Sequence, residues 1–237
     1  MPRERDGSGA AARADRAAVH HALADPSRLE IVELLALGDR TPGDLAALLG
    51  VPSNLVAFHL GELERAGIVG RRRSEGDGRR RYAHLRADVV AGVPVLPTVA
   101  APGAAPHVLF VCSANQARSP IAAALWSALT GTAAESAGTR PAPSAHPLTQ
   151  LVATDHGLDI GDASPRSVDA VMTPPDLVIS VCDRAHEDGL PFDAPALHWS
   201  VPDPVPGGRP AFERALDELR TRVERLARST ALLPSAP

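Results

Sequence analysis

The sequence predicts two domains: a small, mostly helical one that ends in a basic β-hairpin, then a larger α/β one. Three observations predict this layout. At 237 residues the chain has room for one large domain or two small ones. Residues 87–106, ADVVAGVPVLPTVAAPGAAP, hold Pro, Ala and Gly with a single charge, the composition of an extended linker. Charge also divides across that segment: residues 1–100 carry 14 Arg against 13 acids, and residues 101–237 carry 10 Arg against 15. The expected order is a flexible tail over 1–16, a first domain over 17–86, the linker, and a second domain over 107–230.

Composition narrows the class. Hydrophobic residues make up 44%, enough to build cores, which excludes wholesale disorder. No apolar run approaches the roughly 18–20 residues of a membrane helix, so no membrane partner is expected. The first residues, MPRERDGSGAAARADR, are charged and lack the apolar stretch of a signal peptide. Two cysteines, Cys112 and Cys182, rule out a disulfide-stapled scaffold and make a reducing cytoplasm the default expectation. All 24 basic residues are Arg, a bias that reads as a GC-rich genome, so Arg in place of Lys at one position carries no information.

In the first domain Val19, Leu23, Leu29, Val32 and Leu35 keep helical spacing, interrupted at Asp25-Pro26-Ser27. Asp25 fits an N-cap and Pro26 a first turn. Thr41-Pro42 opens a short helix that Gly50 stops, and Ser53 is expected to cap a third helix with Val56, Leu60 and Leu63 on one face. Two short strands then flank the turn Glu75-Gly76-Asp77-Gly78. Helix, short helix, turn, helix and basic hairpin make a winged helix-turn-helix. Its third helix suits a major groove of double-stranded DNA. Arg71, Arg72, Arg73, Arg79, Arg80 and Arg81 flank the hairpin turn and can meet phosphates.

ADPSRLEIVELLALG and TPGDLAALLGVPSNLVAFHLGELERAGIV resemble the opening helices and reading head of the ArsR-type repressors. That resemblance implies a DNA-binding regulator with Ser53, Asn54, Ala57 and His59 on the reading helix, and a homodimer reading two half-sites. Two departures matter. The metal-sensing cysteines of that family have no counterpart in Gly38-Asp39-Arg40-Thr41-Pro42, so the head cannot sense arsenite through its own thiols. Ala57 stands where such heads often carry a hydroxyl, which leaves the base contacts open.

In the second domain the apolar run His107–Val111 leads into Cys112-Ser-Ala-Asn-Gln-Ala-Arg118-Ser119, followed by helix-spaced Ile121, Leu125 and Leu129. Cys112 is thus expected at the carboxyl end of a strand, on a loop that feeds a helix N-terminus. Free backbone N–H groups and the helix dipole there bind anions and stabilise a thiolate. Five residues between Cys112 and Arg118 let the loop curl so that the guanidinium grips the same oxyanion. Ser119 can donate to the thiolate, and Asn115 tolerates a left-handed backbone and can tie the loop together.

This C-x5-R-S pattern resembles the low-molecular-weight protein tyrosine phosphatase superfamily, which includes a class of arsenate reductases. The likeness extends through Ser136–Thr139, Asp176–Cys182, His198–Pro204 and the helix marked by Phe212, Leu216, Leu219, Val223 and Leu226. It implies a four-stranded parallel sheet flanked by helices, with Asp203 as general acid for the departing oxygen. The cradle takes arsenate or phosphate alike. Cys182 within VCDRAHE, His198-Trp199, and the absence of any Tyr beyond Tyr82 favour reductase chemistry. Positions matching two further family cysteines hold Gly189 and Ala117, so a three-thiol relay is impossible. Either Cys182 resolves Cys112, or an external thiol reductant (mycothiol, a glutaredoxin or a thioredoxin system) attacks arsenylated Cys112. Cys182 as a small packed hydrophobe stays open. Cys182, His186 and His198 lack a paired ligand motif, so no metal is expected. The functional expectation is an arsenate reductase fused to a regulator; the alternatives are an oxyanion or redox sensor and a DNA-targeted phosphatase. A thiol signal would start at Cys112 or Cys182 and cross residues 87–106.

Overall fold

A computed structural model describes residues 7–86, 106–162 and 164–229. The expected linker lies outside the described residues except for Pro106.

The first domain opens with α1 (Gly7–Leu23), so helix begins inside the segment expected as a tail. An Ala- and Arg-rich stretch has high helix propensity, which explains the difference. The Asp25 side chain accepts the Arg28 N–H at 3.1 Å and caps α2 (Pro26–Leu37). Thr41 and Asp44 form a reciprocal capping box on α3 (Pro42–Leu49), which ends at Gly50 with φ +65°. Ser53 does not cap α4 (Ser53–Arg65); it is the first helical residue, and the flanking position is Pro52. Pro52 is extended (φ −62°, ψ 144°), so the cap position falls on a residue with no polar side chain. Strands β1 (Val69–Arg73) and β2 (Arg81–Leu85) pair antiparallel from Val69↔Leu85 to Arg73↔Arg81. Ile31, Val32, Leu35, Leu45, Val56, Leu60, Leu63 and Ile68 form this domain's core.

In the second domain β3 (Val108–Cys112), β4 (Ala134–Gly138), β5 (Leu177–Ser180) and β6 (Ala196–His198) form one parallel sheet in the order β4-β3-β5-β6. Helices α5 (Arg118–Thr130), α6 (Pro147–Asp155), α7 (Asp183–Asp188) and α8 (Gly208–Ser229) connect and flank it. Every residue of β3 is buried, as a central parallel strand requires. The chain leaves β3 for β4 on one side and later returns to β5 on the other. Cys112 therefore sits at a topological switch point, where such sheets open a crevice. On α8, Phe212, Leu216, Leu219, Val223 and Leu226 face the core in the expected stripe. No single helix among the described residues is long and apolar enough to cross a membrane.

The two domains pack directly against each other. The buried Asp39 carboxylate pairs with Arg222 of α8 at 2.8 and 3.0 Å and accepts the Ser200 N–H at 2.7 Å. Trp199 donates its indole N–H to Leu37 O at 2.8 Å, and the Asp39 N–H reaches His198 O at 2.7 Å. Gly38 permits this approach, because a Cβ there would lie 3.0 Å from His198 O. A signal between the domains thus has a route through direct contact, apart from the linker.

Candidate active site

Cys112 ends β3 in a buried position, and α5 starts six residues later. The intervening loop curls around the thiol. Cys112 Sγ lies 3.1 Å from Ser119 Oγ and accepts the Asn115 N–H at 3.2 Å. Asn115 takes the left-handed conformation, φ +49°. Its Nδ2 donates to Ser119 Oγ at 2.9 Å and Ser136 Oγ at 3.0 Å, and its Oδ1 accepts the Arg166 N–H at 2.9 Å. The loop is thereby tied to β4. Among the described residues, no protein acceptor takes the N–H groups of Ala114, Gln116 or Arg118. Such unspent amides ahead of a helix N-terminus are what an oxyanion binds.

Arg118 is buried and its side chain returns to the mouth of the loop. Nη1 donates to Val201 O at 2.8 Å and Nη2 lies 3.8 Å from Asp203 Oδ1. Burial works against its charge, but Cys182, Cys112, Asp203 and Glu75 around it outweigh that, so its pKa sits above the ordinary value. Asp203 is partly exposed between Pro202 and Pro204 and accepts the Val205 N–H at 3.3 Å. Cys182 Sγ accepts the Ser113 N–H of the loop at 3.2 Å and the Ala185 N–H at the start of α7 at 3.4 Å. Burial pushes the Cys182 thiol up, and the pull of Arg118 does not reverse it. Cys182 therefore rests protonated beside the loop that holds Cys112. Cys112, Ser119, Asn115, Arg118, Asp203 and Cys182 converge on one place.

Sequence reasoning missed Glu75. This hairpin-turn residue puts a carboxylate on Arg118 from the other domain. Its local signal, Glu-Gly-Asp-Gly, is that of any turn, and nothing nearby reveals its partners. Asp183 and Glu187 of α7 were likewise missed.

The DNA-facing residues divide. Ser53, Asn54 and Ala57 are exposed on α4, together with Leu55 and Phe58. His59, expected on this face, is buried, 4.0 Å from Asp25. The reason is periodicity: position 59 follows Val56 by three and precedes Leu63 by four, so it shares their inward stripe. Arg72 is a second correction. It donates to Glu218 at 3.0 and 3.2 Å and to Ser200 O, all in the second domain. Strand alternation turns it away from exposed Arg71 and Arg73. Arg79, Arg80 and Arg81 are exposed, with Arg79 and Arg80 close to Asp77.

Fold and site together define a parallel α/β domain with a thiol in an anion-binding loop, fronted by a helix-turn-helix. Comparison with known proteins agrees. The family of low molecular weight phosphotyrosine protein phosphatases matches residues 107–233, more than half the chain, and a helix-turn-helix domain model matches residues 23–72. The chain belongs to the low molecular weight phosphotyrosine protein phosphatase family. An arsenate reductase of Brevibacillus brevis is 28% identical over 127 residues, spanning 51% of this chain and 92% of that protein. Among solved structures, an arsenate reductase from Archaeoglobus fulgidus is 34% identical with a TM-score of 0.46, over 50% of this chain and 97% of that one. A thioredoxin-dependent arsenate reductase of Corynebacterium glutamicum is 29% identical with a TM-score of 0.45, over 55% of this chain and 64% of that one.

Proposed function

We propose that this chain is a thiol-dependent arsenate reductase carried on a DNA-binding head. The observation that carries the reading is the second sulfur: Cys182 Sγ accepts the Ser113 N–H at 3.2 Å, one residue beyond Cys112. A phosphatase needs one thiol; a reductase must also find two electrons. The Brevibacillus brevis relative, an arsenate reductase, supports the choice.

The chemistry follows from the residues. The Cys112 thiolate attacks arsenic, an As–O bond breaks, and Asp203 protonates the departing oxygen, which leaves as water. The loop amides and Arg118 hold the remaining oxygens. A second thiol, Cys182 or an external one, loses its proton and attacks the Cys112 sulfur. The S–As electron pair stays on arsenic. As(V) gains two electrons and leaves as arsenite, and the two sulfurs give two and form a disulfide. An external thiol reductant, mycothiol or a glutaredoxin or thioredoxin system, then restores both thiols. The head supplies the contact with double-stranded DNA through the exposed face of α4 and the outer arginines of the hairpin, with a homodimer reading two half-sites.

The test is arsenite production from arsenate with each thiol donor, run beside hydrolysis of an aryl phosphate. Arsenite formation that Cys112→Ser abolishes is the expected result, because a hydroxyl supplies no thiolate at neutral pH. Aryl phosphate hydrolysis without arsenite formation under any donor would make the domain a phosphatase.

A further inference from the structure

The hairpin of the first domain reaches into the candidate active site. Glu75 lies in its turn. Glu75 Oε2 accepts from Arg118 Nη1 at 3.1 Å, and Oε1 accepts the Asp203 N–H at 2.7 Å. A carboxylate spread over the Arg118 guanidinium and the backbone amide of Asp203 is bound as an oxyanion would be, each oxygen on its own donor.

The turn is held there by second-domain residues. The Glu75 N–H donates to Asp183 Oδ2 at 2.8 Å, and Arg184 Nε donates to Glu75 O at 3.1 Å. Glu187 accepts Ser74 Oγ at 2.7 Å, Tyr82 OH at 3.0 Å and the Asp77 N–H. Gly76 packs so closely that a Cβ would fall 2.2 Å from Glu187 Oε2. Arg72, on the same side of the hairpin, is clamped by Glu218. Together these second-domain groups make a dock for the turn.

We propose that Glu75 is an internal competitor of the oxyanion: the site holds either the hairpin turn or the anion, and anion binding releases the hairpin for DNA. The proposal rests on the reading that the loop binds oxyanions and the head binds DNA. Charge makes the two occupants exclusive, since a carboxylate and a multiply charged oxyanion repel strongly where solvent is scarce. Release also frees Arg72 and the turn amides of Glu75 and Asp77, which point at carboxylates while docked. A hairpin uses such groups to bind phosphates. The coupling is reciprocal, so DNA must raise oxyanion affinity by the factor that the oxyanion raises DNA affinity.

The experiment measures inorganic phosphate binding by calorimetry on the full chain, on Glu75→Gln and on Glu187→Ala. The last variant loosens the dock from outside the anion site. Binding of a random-sequence duplex is measured with and without phosphate at matched ionic strength. Both variants are expected to bind phosphate on the order of tenfold more tightly than wild type. Phosphate should tighten DNA binding by the wild type and leave both variants unmoved. Equal or weaker phosphate binding by both variants overturns the competition, and the weaker result would make Glu75 a positioning residue for Arg118. Wild-type DNA affinity indifferent to phosphate overturns the coupling. Absence of phosphate binding in all three proteins would instead remove the oxyanion reading beneath it.

Discussion

One methyl group at position 138 separates a working loop from a displaced one. Gly138 pairs with Cys112 across β4 and β3, and a Cβ there would lie 2.7 Å from Ser113 O and 3.0 Å from Asn115 Cβ. Neither neighbour is the free end of a flexible chain, so the loop itself must shift. Overpacking of this kind costs about 1–3 kcal/mol. The larger effect falls on catalysis, because a displacement near 1 Å in a reacting group can cost about a hundredfold. Gly138→Ala should therefore lower arsenate turnover by roughly that factor while the melting temperature falls only modestly. Unchanged turnover in a folded Gly138→Ala would show that the loop yields freely. The site was legible in the sequence for a related reason. Cys112, Asn115, Arg118 and Ser119 lie within one strand–loop–helix segment, so their spacing already implies their geometry. Glu75 meets Arg118 only after the whole chain has folded, and no spacing rule reaches that far.

At the scale of elements, α7 does more than its six residues suggest. It follows Cys182, presents Asp183 and Glu187 to the hairpin, and stacks His186 on His198 with centroids 4.1 Å apart. Tyr82 of β2 meets both rings edge-on. Burial, aided by His198, holds the His186 pKa down to about 4 from 6.5. Between those values the unfolded imidazole takes a proton that the folded one refuses, so stability rises with pH across the window and falls as pH drops through it. The loss is about 2 kcal/mol after allowance for partial exposure. His84, also pushed down by burial, acts in the same direction. Asp39 and Asp183 are held below 3.8, so their contribution is lost only in stronger acid. His186→Phe should flatten the stability profile above pH 4, leaving the share of His84. Urea midpoints across pH 4–7 check this, and an unchanged slope would assign the loss elsewhere. None of this was legible in VCDRAHE, whose likeness to the reductases around Cys182 said nothing of a helix or of what its side chains would meet. The helices of the first domain were legible because Asp25, Thr41 and Gly50 mark their own ends. Ser53 failed as a cap because Pro52 had already taken the flanking position.

At the scale of the molecule, two domains were legible from composition and charge, but their packing was not. The residues that join them are charged and distant in sequence, and charged residues ordinarily read as a solvated face. Here Asp39, Arg222, Glu218 and Arg72 form a continuous chain of ion pairs from the α2–α3 connection, through α8, to the hairpin. Burial alone would raise the Asp39 pKa; Arg222 and its neighbours more than reverse it. A buried pair is costly to break from one side, about 3–5 kcal/mol, because the surviving charge stays desolvated, whereas an apolar replacement of both partners is often nearly neutral. Asp39→Ala should thus destabilise the chain by about that amount and loosen the domains, turning one unfolding transition into two. The paired replacement Asp39→Leu with Arg222→Met should recover most of the loss. Scanning calorimetry distinguishes the cases. If the single substitution leaves one unshifted transition, this ion pair does not hold the domains together, and the apolar contacts around Leu37 and Trp199 must do so instead.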